Sequence, residues 1–399
     1  MKQFSAVALL ALIVSSVAVM WVDARWVTTL PEVAAFALAA VWIIAFASGR
    51  YRPEFSAGMI PLTAAVLWIV IQLVTGHTVY RWRTVVGLLY WAANLAVYFV
   101  ALQAFSDRKL RFWFLRALLL FGFLISIISP LQALTTQAKV FWLFQIPNAT
   151  SVFFGPFVYT NQYAAFIELL LPIALYFALT EEKGQAFYVL VAAVMYTSVI
   201  AASSRMGFTL TTLEILIVPL LAVRFRQAQP RQILIGGALF AGMIILLAVA
   251  VGPDNLLARF SQSDPYVVRR EFVYSSFNMI KASPFFGVGL GNWSTAYPAW
   301  AQFDSGRFAN QAHNDWIQWA VEGGLPFAAL MLLLAIRGIP QGVRSVWGVG
   351  VAALFLHCLV DYPIQRTAVA VVFFTLLAAT AAENTRCDSE PADNRLSTL

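Results

Sequence analysis

Long apolar blocks dominate this sequence and limit what it can fold into. A helix that crosses the hydrocarbon core of a bilayer needs about 20 apolar residues, and blocks of about that length recur from Ser5 to Glu383. Hydrophobic residues make up 61% of the chain and charged residues 11%, whereas a soluble domain is about half apolar and a quarter charged. The pattern predicts a polytopic membrane protein and excludes a soluble fold.

We predict an all-α integral membrane protein of about twelve transmembrane helices in one membrane domain, residues 1–383. The predicted spans are residues 5–21, 33–48, 57–75, 85–105, 112–130, 161–179, 187–203, 207–223, 233–251, 314–336, 345–361 and 367–383. The first block lacks a small-residue cleavage site, so we interpret it as a helix rather than as a signal peptide. The polar tail, 384–399, is predicted to be disordered and cytoplasmic.

Positive charges in the short loops predict the orientation, because cytoplasmic loops are enriched in Lys and Arg. With both termini in the cytoplasm, the cytoplasmic segments hold fifteen Lys and Arg residues. The short loops on the other side hold six, namely Arg25, Arg81, Arg83, Lys139, Arg205 and Arg366. The long segment 252–312 is therefore predicted to be one extended loop outside the cytoplasm.

Composition also limits cofactors and partners. Cys358 and Cys387 fall on opposite sides of this topology, so no disulfide is expected. The three histidines form no Cys/His cluster, so we predict neither a metal nor another cofactor. The excess of Lys and Arg over Asp and Glu, 26 to 19, lies between the apolar blocks and indicates topology rather than nucleic-acid binding.

The long segment 252–312 holds most of the unusual residues. Apolar residues at helical spacing predict an amphipathic helix over 266–281 that lies against the membrane. The apolar residues are Val273, Phe277 and Ile280, and the basic residues expected to project are Arg269, Arg270 and Lys281. The run Gly287–Gly291 follows no strand, so we interpret it as a tight turn rather than a nucleotide-binding loop.

Polar residues near or inside the spans are the next candidates. His313 begins a span beside Asn314, where a histidine is commonly a cap but can also be a general base. Arg205 lies in a very short outer turn, where it either reaches lipid phosphates or meets another anion. His357 and Asp361 are one helical turn apart, which is compatible with a pair. Glu168 and Glu214 fall inside spans and should face protein.

Five stretches, in order, resemble the motifs of the O-antigen ligase/polymerase superfamily of bacterial glycan enzymes. They are Asn161–Pro172; Ser204–Gly207; Arg270 with Tyr274, Met279, Pro284 and Gly287–Gly291; His313–Asn314 with Glu322 and Gly324; and Asp361–Pro363. Tyr274 stands where the family more often has tryptophan. The resemblance covers about residues 155–370, and the first third of the chain matches only in hydropathy.

This resemblance implies a GT-C-like membrane glycosyltransferase whose active site opens at the periplasmic face of the bacterial inner membrane. Members transfer a glycan from undecaprenyl diphosphate to an acceptor. Ligases use lipid A–core and complete lipopolysaccharide, polymerases use another lipid-linked repeat, and a third branch glycosylates proteins. Polymerases commonly have two arginine-rich outer loops, whereas 131–160 carries only Lys139, so a ligase is expected and the other branches are the alternatives.

The resemblance also implies roles for individual residues. His313 is expected to act as the general base on the acceptor hydroxyl, with inversion and no covalent intermediate. Arg205 and Arg270 are expected to bind the diphosphate, with Arg269 as a substitute. Since the outer loops have no Asp-x-Asp pair, transfer is expected to be independent of metal.

Four further residues receive supporting roles. Arg81 and Arg83 are candidates to bind phosphates of the acceptor, and Asp315 or Glu322 is a candidate to orient His313. From a different class, a transporter or lipid flippase also has many spans with intramembrane charges. The chain shows no internal repeat between halves, and a carrier does not need the long outer segment 252–312, so transport is the weaker alternative.

Overall fold

The computed structural model describes residues 1–136, 138–146, 153–251, 257–258, 261, 267–303, 306 and 308–389. Within these residues the fold is a helical bundle, and the strands are two short ones, β1 (Lys139–Val140) and β2 (Phe144–Gln145). The prediction of an all-α membrane protein is confirmed. Buried alanine, leucine, valine and phenylalanine side chains fill one continuous core between the helices.

Fourteen α-helices lie in the described part of the chain. The first nine are α1 (Lys2–Val19), α2 (Trp26–Ala47), α3 (Met59–Thr75), α4 (Arg81–Phe105), α5 (Arg108–Thr135), α6 (Thr160–Thr180), α7 (Gln185–Ala202), α8 (Arg205–Arg224) and α9 (Pro230–Val251). The last five are α10 (Val267–Ala282), α11 (Trp293–Ala296), α12 (Asp315–Ser345), α13 (Val349–His357) and α14 (Thr367–Ser389). Since α14 reaches Ser389, the beginning of the predicted disordered tail is helical.

Nine described helices are long and apolar enough to cross a membrane, and two shorter apolar helices accompany them. The predicted count of twelve is therefore not confirmed. Two of the three remaining predicted spans, 57–75 and 233–251, correspond to the two shorter apolar helices. The third is the predicted eleventh span, 345–361, where the helix α13 has only 9 residues. At 1.5 Å per residue it is about 14 Å long, roughly half the thickness of the hydrocarbon core. The chain continues from α13 to the end of the bundle in turns, residues 358–361.

The helix α10 confirms the predicted helix in the long segment, and its side opposite Phe277 packs on protein. Phe272 and Met279 pack with Trp293 and Tyr297 in a small apolar cluster outside the main core. Phe277, predicted to contact the membrane through the opposite face, is half-exposed. The segments that follow α10 therefore fold back and cover the helix, which the spacing of apolar residues within α10 alone does not indicate.

The short helix α13 is held close to α6 by a glycine. A methyl group added at Gly350 would collide with the main-chain carbonyl oxygen of Glu168, in the middle of α6. This close approach fixes the level at which α13 sits and therefore where the following turn, 358–361, emerges. That turn contains Asp361, the residue around which the candidate site is built.

Replacing Gly350 with alanine is expected to destabilise the protein, because the backbone of α6 cannot move aside as a flexible side chain would. Overpacking of this kind costs about 1–3 kcal/mol, so the thermal unfolding midpoint of the purified protein in detergent should fall. Gly237→Ala is the matched control, since a methyl group there meets no atom within 4 Å. Equal midpoints for the two variants would contradict the close packing of α13 on α6.

Candidate active site

Asp361 is the buried centre of a polar cluster at one end of the bundle, and its side chain is only 5% exposed. The side-chain amide of Asn161, at the start of α6, donates a hydrogen bond to Oδ2. The main-chain N–H of Tyr362 donates to Oδ1 at 3.0 Å. Arg269 Nη2 lies 3.4 Å from Oδ2, and His313 Nδ1 lies 3.4 Å from Oδ1. Residues from four separate segments thus meet at one carboxylate.

His313 stands at the mouth of this cluster in an unusual backbone conformation. Its φ is +53°, in the left-handed region that few non-glycine residues adopt. The next residue, Asn314, caps α12 by accepting a hydrogen bond from the N–H of Ile317 at 3.0 Å, and its amide donates to the carbonyl of Leu359. These contacts hold the turn. The imidazole is 21% exposed, so it contacts Asp361 and remains accessible from outside.

Aromatic rings surround the imidazole of His313 on several sides. The ring of Tyr362 meets it edge-on with centroids 4.8 Å apart, and Tyr159 does the same at 6.0 Å. Phe272, from α10, lies nearly parallel to it at 6.0 Å. These rings fix the plane of the imidazole. Because Nδ1 is buried and faces Asp361, Nε2 is the ring nitrogen left to face a substrate.

Arg269, which the sequence ranks behind its neighbour, is the arginine that reaches the cluster. It donates to the carbonyl of Val360 at 2.9 Å and to the hydroxyl of Tyr159 at 3.1 Å, besides facing Asp361. Arg270, one position on, is exposed on α10. Adjacent helical residues point about 100° apart, so the two guanidinium groups face different surroundings.

The pKa of Asp361 is set by two opposing effects. Burial raises the pKa, but the facing His313 and the positive charge of Arg269 outweigh burial, so it lies below its usual value. Burial also raises the pKa of the Tyr159 phenol, with the charge of Asp361 adding to the effect. At neutral pH the cluster therefore holds an ionised carboxylate next to a protonated phenol.

Asp315 and Glu322, the acids predicted as candidates to orient His313, bind elsewhere. Asp315 accepts a hydrogen bond from the N–H of Ile364 at 3.1 Å and so ties the start of α12 to the turn after Asp361. Glu322 accepts from the N–H groups of Gly291 at 2.9 Å and Trp293 at 3.0 Å. Among the described residues, the acid within 4.0 Å of His313 is Asp361.

The glycine run is a turn wedged between α12 and the α3–α4 connection, as the sequence predicts. All three of its glycines have positive φ, between 67° and 91°. The N–H of Gly289 donates to the carbonyl of Glu322 at 2.9 Å, and the N–H of Val79 donates to the carbonyl of Val288 at 2.9 Å. A side chain at Gly287 would collide with the backbone of α12, so this position admits no larger residue.

The remaining predicted arginines lie at the same end of the bundle but outside the Asp361 cluster. Arg205 is half-buried at the first position of α8, after Ser204, whose hydroxyl accepts from the N–H of Gly207 at 3.2 Å. Arg83 donates to the hydroxyl of Ser294 at 3.3 Å. Arg81 donates to the carbonyl of Leu73 at 2.9 Å and thereby closes the end of α3.

A second buried polar pair lies behind the cluster, inside the bundle. His357 Nδ1 is 2.9 Å from both carboxylate oxygens of Glu168, and both side chains are fully buried. The predicted pairing of His357 with Asp361 is therefore wrong, because an acid on α6 lies closer. Glu168 faces protein, as predicted for an acid inside a span.

Beside the cluster, a cleft of about 480 Å³ opens between α2, α4 and the glycine turn. Its lining includes Glu32, Arg83, Gln311 and Glu322. Sequence reasoning missed Glu32 and Tyr159. A signal for Glu32 exists, because it is an acid at the edge of a predicted span. Tyr159 stands two residues before Asn161, but nothing in the sequence distinguishes it from other interface tyrosines.

Replacing Asp361 with asparagine should destabilise the protein at neutral pH by about 2 kcal/mol, because hydrogen bonds to a charged group are replaced by weaker ones to a neutral amide. Because the folded pKa lies below the unfolded value of about 3.9, the carboxylate's contribution is complete above about pH 5. It is lost as the pH falls through the folded pKa. The difference in unfolding midpoint between wild type and variant should thus be constant from pH 7 to about 5 and shrink below about 4.

Asp23→Asn is the matched control for this measurement, since Asp23 is exposed. It should give the wild-type midpoint at every pH. A difference between wild type and Asp361→Asn that grows as the solution is acidified would contradict the assignment of an ionised carboxylate.

Comparison with known families connects this geometry to a class of proteins. None of the curated proteins compared with the chain matches it. Residues 189–332 match a family model described as O-Antigen ligase. The matched region includes the Ser204–Gly207 turn, α10, the glycine turn and His313, whereas Asn161 and Asp361 lie outside it. The match covers about a third of the chain and confirms the resemblance to the O-antigen ligase/polymerase superfamily.

Proposed function

We propose that this protein is an O-antigen ligase of the bacterial inner membrane. It transfers a polysaccharide from undecaprenyl diphosphate to a sugar hydroxyl of lipid A–core at the periplasmic face and so completes lipopolysaccharide. The observation that carries the proposal is the meeting of His313, Asp361 and Arg269 at one accessible end of a helical bundle. An imidazole oriented by a carboxylate can act as a general base, and a guanidinium group can neutralise a diphosphate leaving group.

The acceptor hydroxyl needs a base, and His313 is suited to this role. Its Nδ1 faces the carboxylate of Asp361, which favours the tautomer with the proton on Nδ1 and leaves the lone pair of Nε2 for the hydroxyl. The hydroxyl oxygen then attacks the anomeric carbon while Nε2 accepts its proton. Asp361 stabilises the imidazolium that results, because the carboxylate remains ionised.

The leaving group needs positive charge, and the arginines supply it. The bond between the anomeric carbon and the diphosphate oxygen breaks, and undecaprenyl diphosphate departs with the electron pair. Guanidinium groups bind phosphate oxygens in pairs. Arg269 is held by three oxygen contacts at the cluster. Arg205 stands at the N-terminus of α8, where the helix dipole adds to its charge. Arg270, exposed on α10, is the third candidate.

Direct displacement by the hydroxyl inverts the anomeric centre and forms no covalent enzyme intermediate. Because the arginines neutralise the diphosphate, the reaction does not depend on a divalent metal. A polymerase of the same superfamily would use the same chemistry with a lipid-linked repeat as acceptor. A strain that lacks the protein distinguishes the two, since loss of a ligase leaves long chains on undecaprenyl diphosphate.

Replacing His313 with asparagine should lower the rate of glycan transfer by about 10²–10⁴-fold, because the general base is lost. The assay is transfer from a defined undecaprenyl diphosphate glycan to lipid A–core by the purified protein. His77→Asn is the matched control, since His77 is an exposed histidine that bonds Thr75 and stacks on Phe286. It should retain the wild-type rate, and EDTA should leave the rate of the wild type unchanged.

A folded His313→Asn protein that transfers at the wild-type rate would remove the base assignment, and loss of turnover in EDTA would remove the metal-independent mechanism. If purified wild type instead required an ion gradient to move the glycan, transport would replace transfer as the function.

The proposed topology has its own test. In a background with Cys358 and Cys387 replaced by serine, Tyr274→Cys on α10 should react with a membrane-impermeant maleimide added to cells with a permeabilised outer membrane. Lys109→Cys, also exposed, on α5, should react only after the inner membrane is opened. Labelling in the reverse order would place the candidate site in the cytoplasm and contradict a periplasmic reaction.

A further inference from the structure

The cleft between α2 and α4 lies next to the Asp361 cluster but is lined by different residues. At about 480 Å³ it falls within the usual range for small-molecule sites, about 300–1,000 Å³. Gln311, two residues before His313, and Gln365, four residues after Asp361, are both part of its wall. The cleft therefore shares two of its lining segments with the catalytic cluster, and a molecule bound in it would lie beside His313.

Glu32 is the most unusual group in this cleft. It is 5% exposed and stands in the second turn of α2, a helix apolar enough to cross a membrane. Among the described residues, none donates a hydrogen bond to its carboxylate, and none forms an ion pair with it within 4.0 Å. Its carboxylate oxygens are not fully buried and open onto the cleft, within a helix where an acid is costly and commonly marks a functional site. A ligand that brings hydrogen-bond donors into the cleft would satisfy this carboxylate.

Aromatic rings form the outer part of the same cleft. Tyr80 and Trp82 line it and are 50% and 54% exposed. The guanidinium group of Arg25 lies over the Trp82 ring, 5.0 Å from its centroid, and holds the indole in place. The face of an aromatic ring is electronegative and therefore attracts the C–H groups on the apolar side of a sugar ring.

The charges of the lining decide between a carbohydrate and a bare anion. Two guanidinium groups, Arg25 and Arg83, are balanced by two carboxylates, Glu32 and Glu322. A diphosphate or a phospholipid headgroup would meet the two acids at close range, whereas neutral hydroxyls can donate to a carboxylate and accept from a guanidinium or amide. Side-chain amides of Gln311 and Gln365 add both donors and acceptors.

We propose that this cleft binds the carbohydrate of the acceptor, with a sugar ring on Trp82 and with sugar hydroxyls donating to Glu32. The proposal rests on the proposed function for the direction of transfer, since it places the acceptor on the α2–α4 side of His313 and leaves the diphosphate to the arginines on the other side. The binding itself requires no transfer and can be measured separately.

The test uses the full-length protein in phosphatidylcholine nanodiscs and, as probe, the core oligosaccharide released from lipid A by mild acid. Binding is followed by tryptophan fluorescence and confirmed by calorimetry. Glu32→Gln and Trp82→Ala are each expected to raise the Kd for the oligosaccharide about tenfold, the size of one charge-assisted hydrogen bond or one good contact. In transfer assays both should raise KM for lipid A–core and leave KM for the undecaprenyl donor unchanged.

Trp113→Ala is the matched control, because Trp113 is a tryptophan 45% exposed on α5, away from the cleft lining. It should change neither constant. Glu32→Gln keeps the shape of the side chain, and its unfolding midpoint shows whether the variant is folded. If Glu32→Gln does not fold, Trp82→Ala alone decides, since that side chain is largely on the surface.

The possible results separate the cleft from the proposed function. Wild-type affinity in both variants, a change in the donor KM alone, or no binding of the oligosaccharide to wild type at millimolar concentration would each overturn the cleft proposal. If added phosphatidylglycerol displaced the bound oligosaccharide, the cleft would be assigned to a lipid headgroup, and the cleft proposal would also be overturned. If the oligosaccharide binds and both variants weaken it, but no glycan is transferred, the cleft stands and the ligase function fails.

Discussion

The carboxylate of Asp361 joins parts of the chain that are distant in sequence, and the candidate site depends on it. A charged group buried to this extent costs several kcal/mol unless its partners compensate. The partners are Asn161 at the start of α6, Arg269 on α10 and His313 before α12, together with the N–H of Tyr362. Because each partner belongs to a different segment, satisfying the carboxylate also brings these segments together. The cost of burial thus becomes a constraint on geometry.

The position of Asp361 depends in turn on the short helix α13. A helix of 9 residues does not reach from one side of a bilayer to the other, so lipid thickness alone cannot fix its depth. Two contacts with α6 do so instead: the close approach of Gly350 to the backbone of Glu168, and the pairing of His357 with the Glu168 side chain at 2.9 Å. The first excludes a side chain between the helices, and the second opposes sliding, because any shift leaves a buried acid unpaired.

The left-handed backbone conformation of His313 is likewise maintained by contacts between distant segments. Such a conformation costs on the order of 1 kcal/mol or more for a residue with a side chain. It persists because Asn314 is fixed on both sides, by the N–H of Ile317 and the carbonyl of Leu359. The main-chain N–H of Asp315 also donates to the carbonyls of Cys358 and Asp361, at 2.9 and 3.1 Å. The imidazole is therefore held on one side by the start of α12 and on the other by the turn that carries Asp361.

Features that depend on local pattern can be predicted from the sequence, whereas features that depend on how helices rotate against each other cannot. Blocks of about 20 apolar residues are local, so the sequence predicts the long helices, and the same holds for the glycine turn. It does not predict the short helix within 345–361, because a half-length buried helix has the same hydropathy as a spanning one. The spacing of one helical turn predicts a pair between His357 and Asp361, but Glu168 on α6 lies closer.

The same limit explains why the sequence does not predict which arginine and which acid lie in the site. The spacing of Val273 and Phe277 predicts a face of α10 for the membrane, with Arg269 projecting from the helix. The face that packs on protein holds Phe272 and Met279, and its partners Trp293 and Tyr297 lie later in the chain. Packed in this way, α10 brings Arg269 to Asp361. Pairing of His313 with an acid far along the chain is a tertiary contact that spacing cannot indicate.

The distribution of charge around His313 gives the two proposed substrates different sides. On the α10 side, Arg269 and Arg270 belong to the same end of the bundle as Arg205 at the N-terminus of α8, and this surface suits a diphosphate. On the α2–α4 side, each arginine of the cleft is matched by a carboxylate. A diphosphate that entered the cleft would face the acid Glu32, so repulsion disfavours the wrong arrangement while hydroxyl groups are accepted. Specificity of this kind needs both the attractive and the repulsive group. This also explains why Glu32, which accepts no hydrogen bond from the described residues, stands in an apolar helix. A hydroxyl group of the acceptor carbohydrate is expected to donate the missing hydrogen bond.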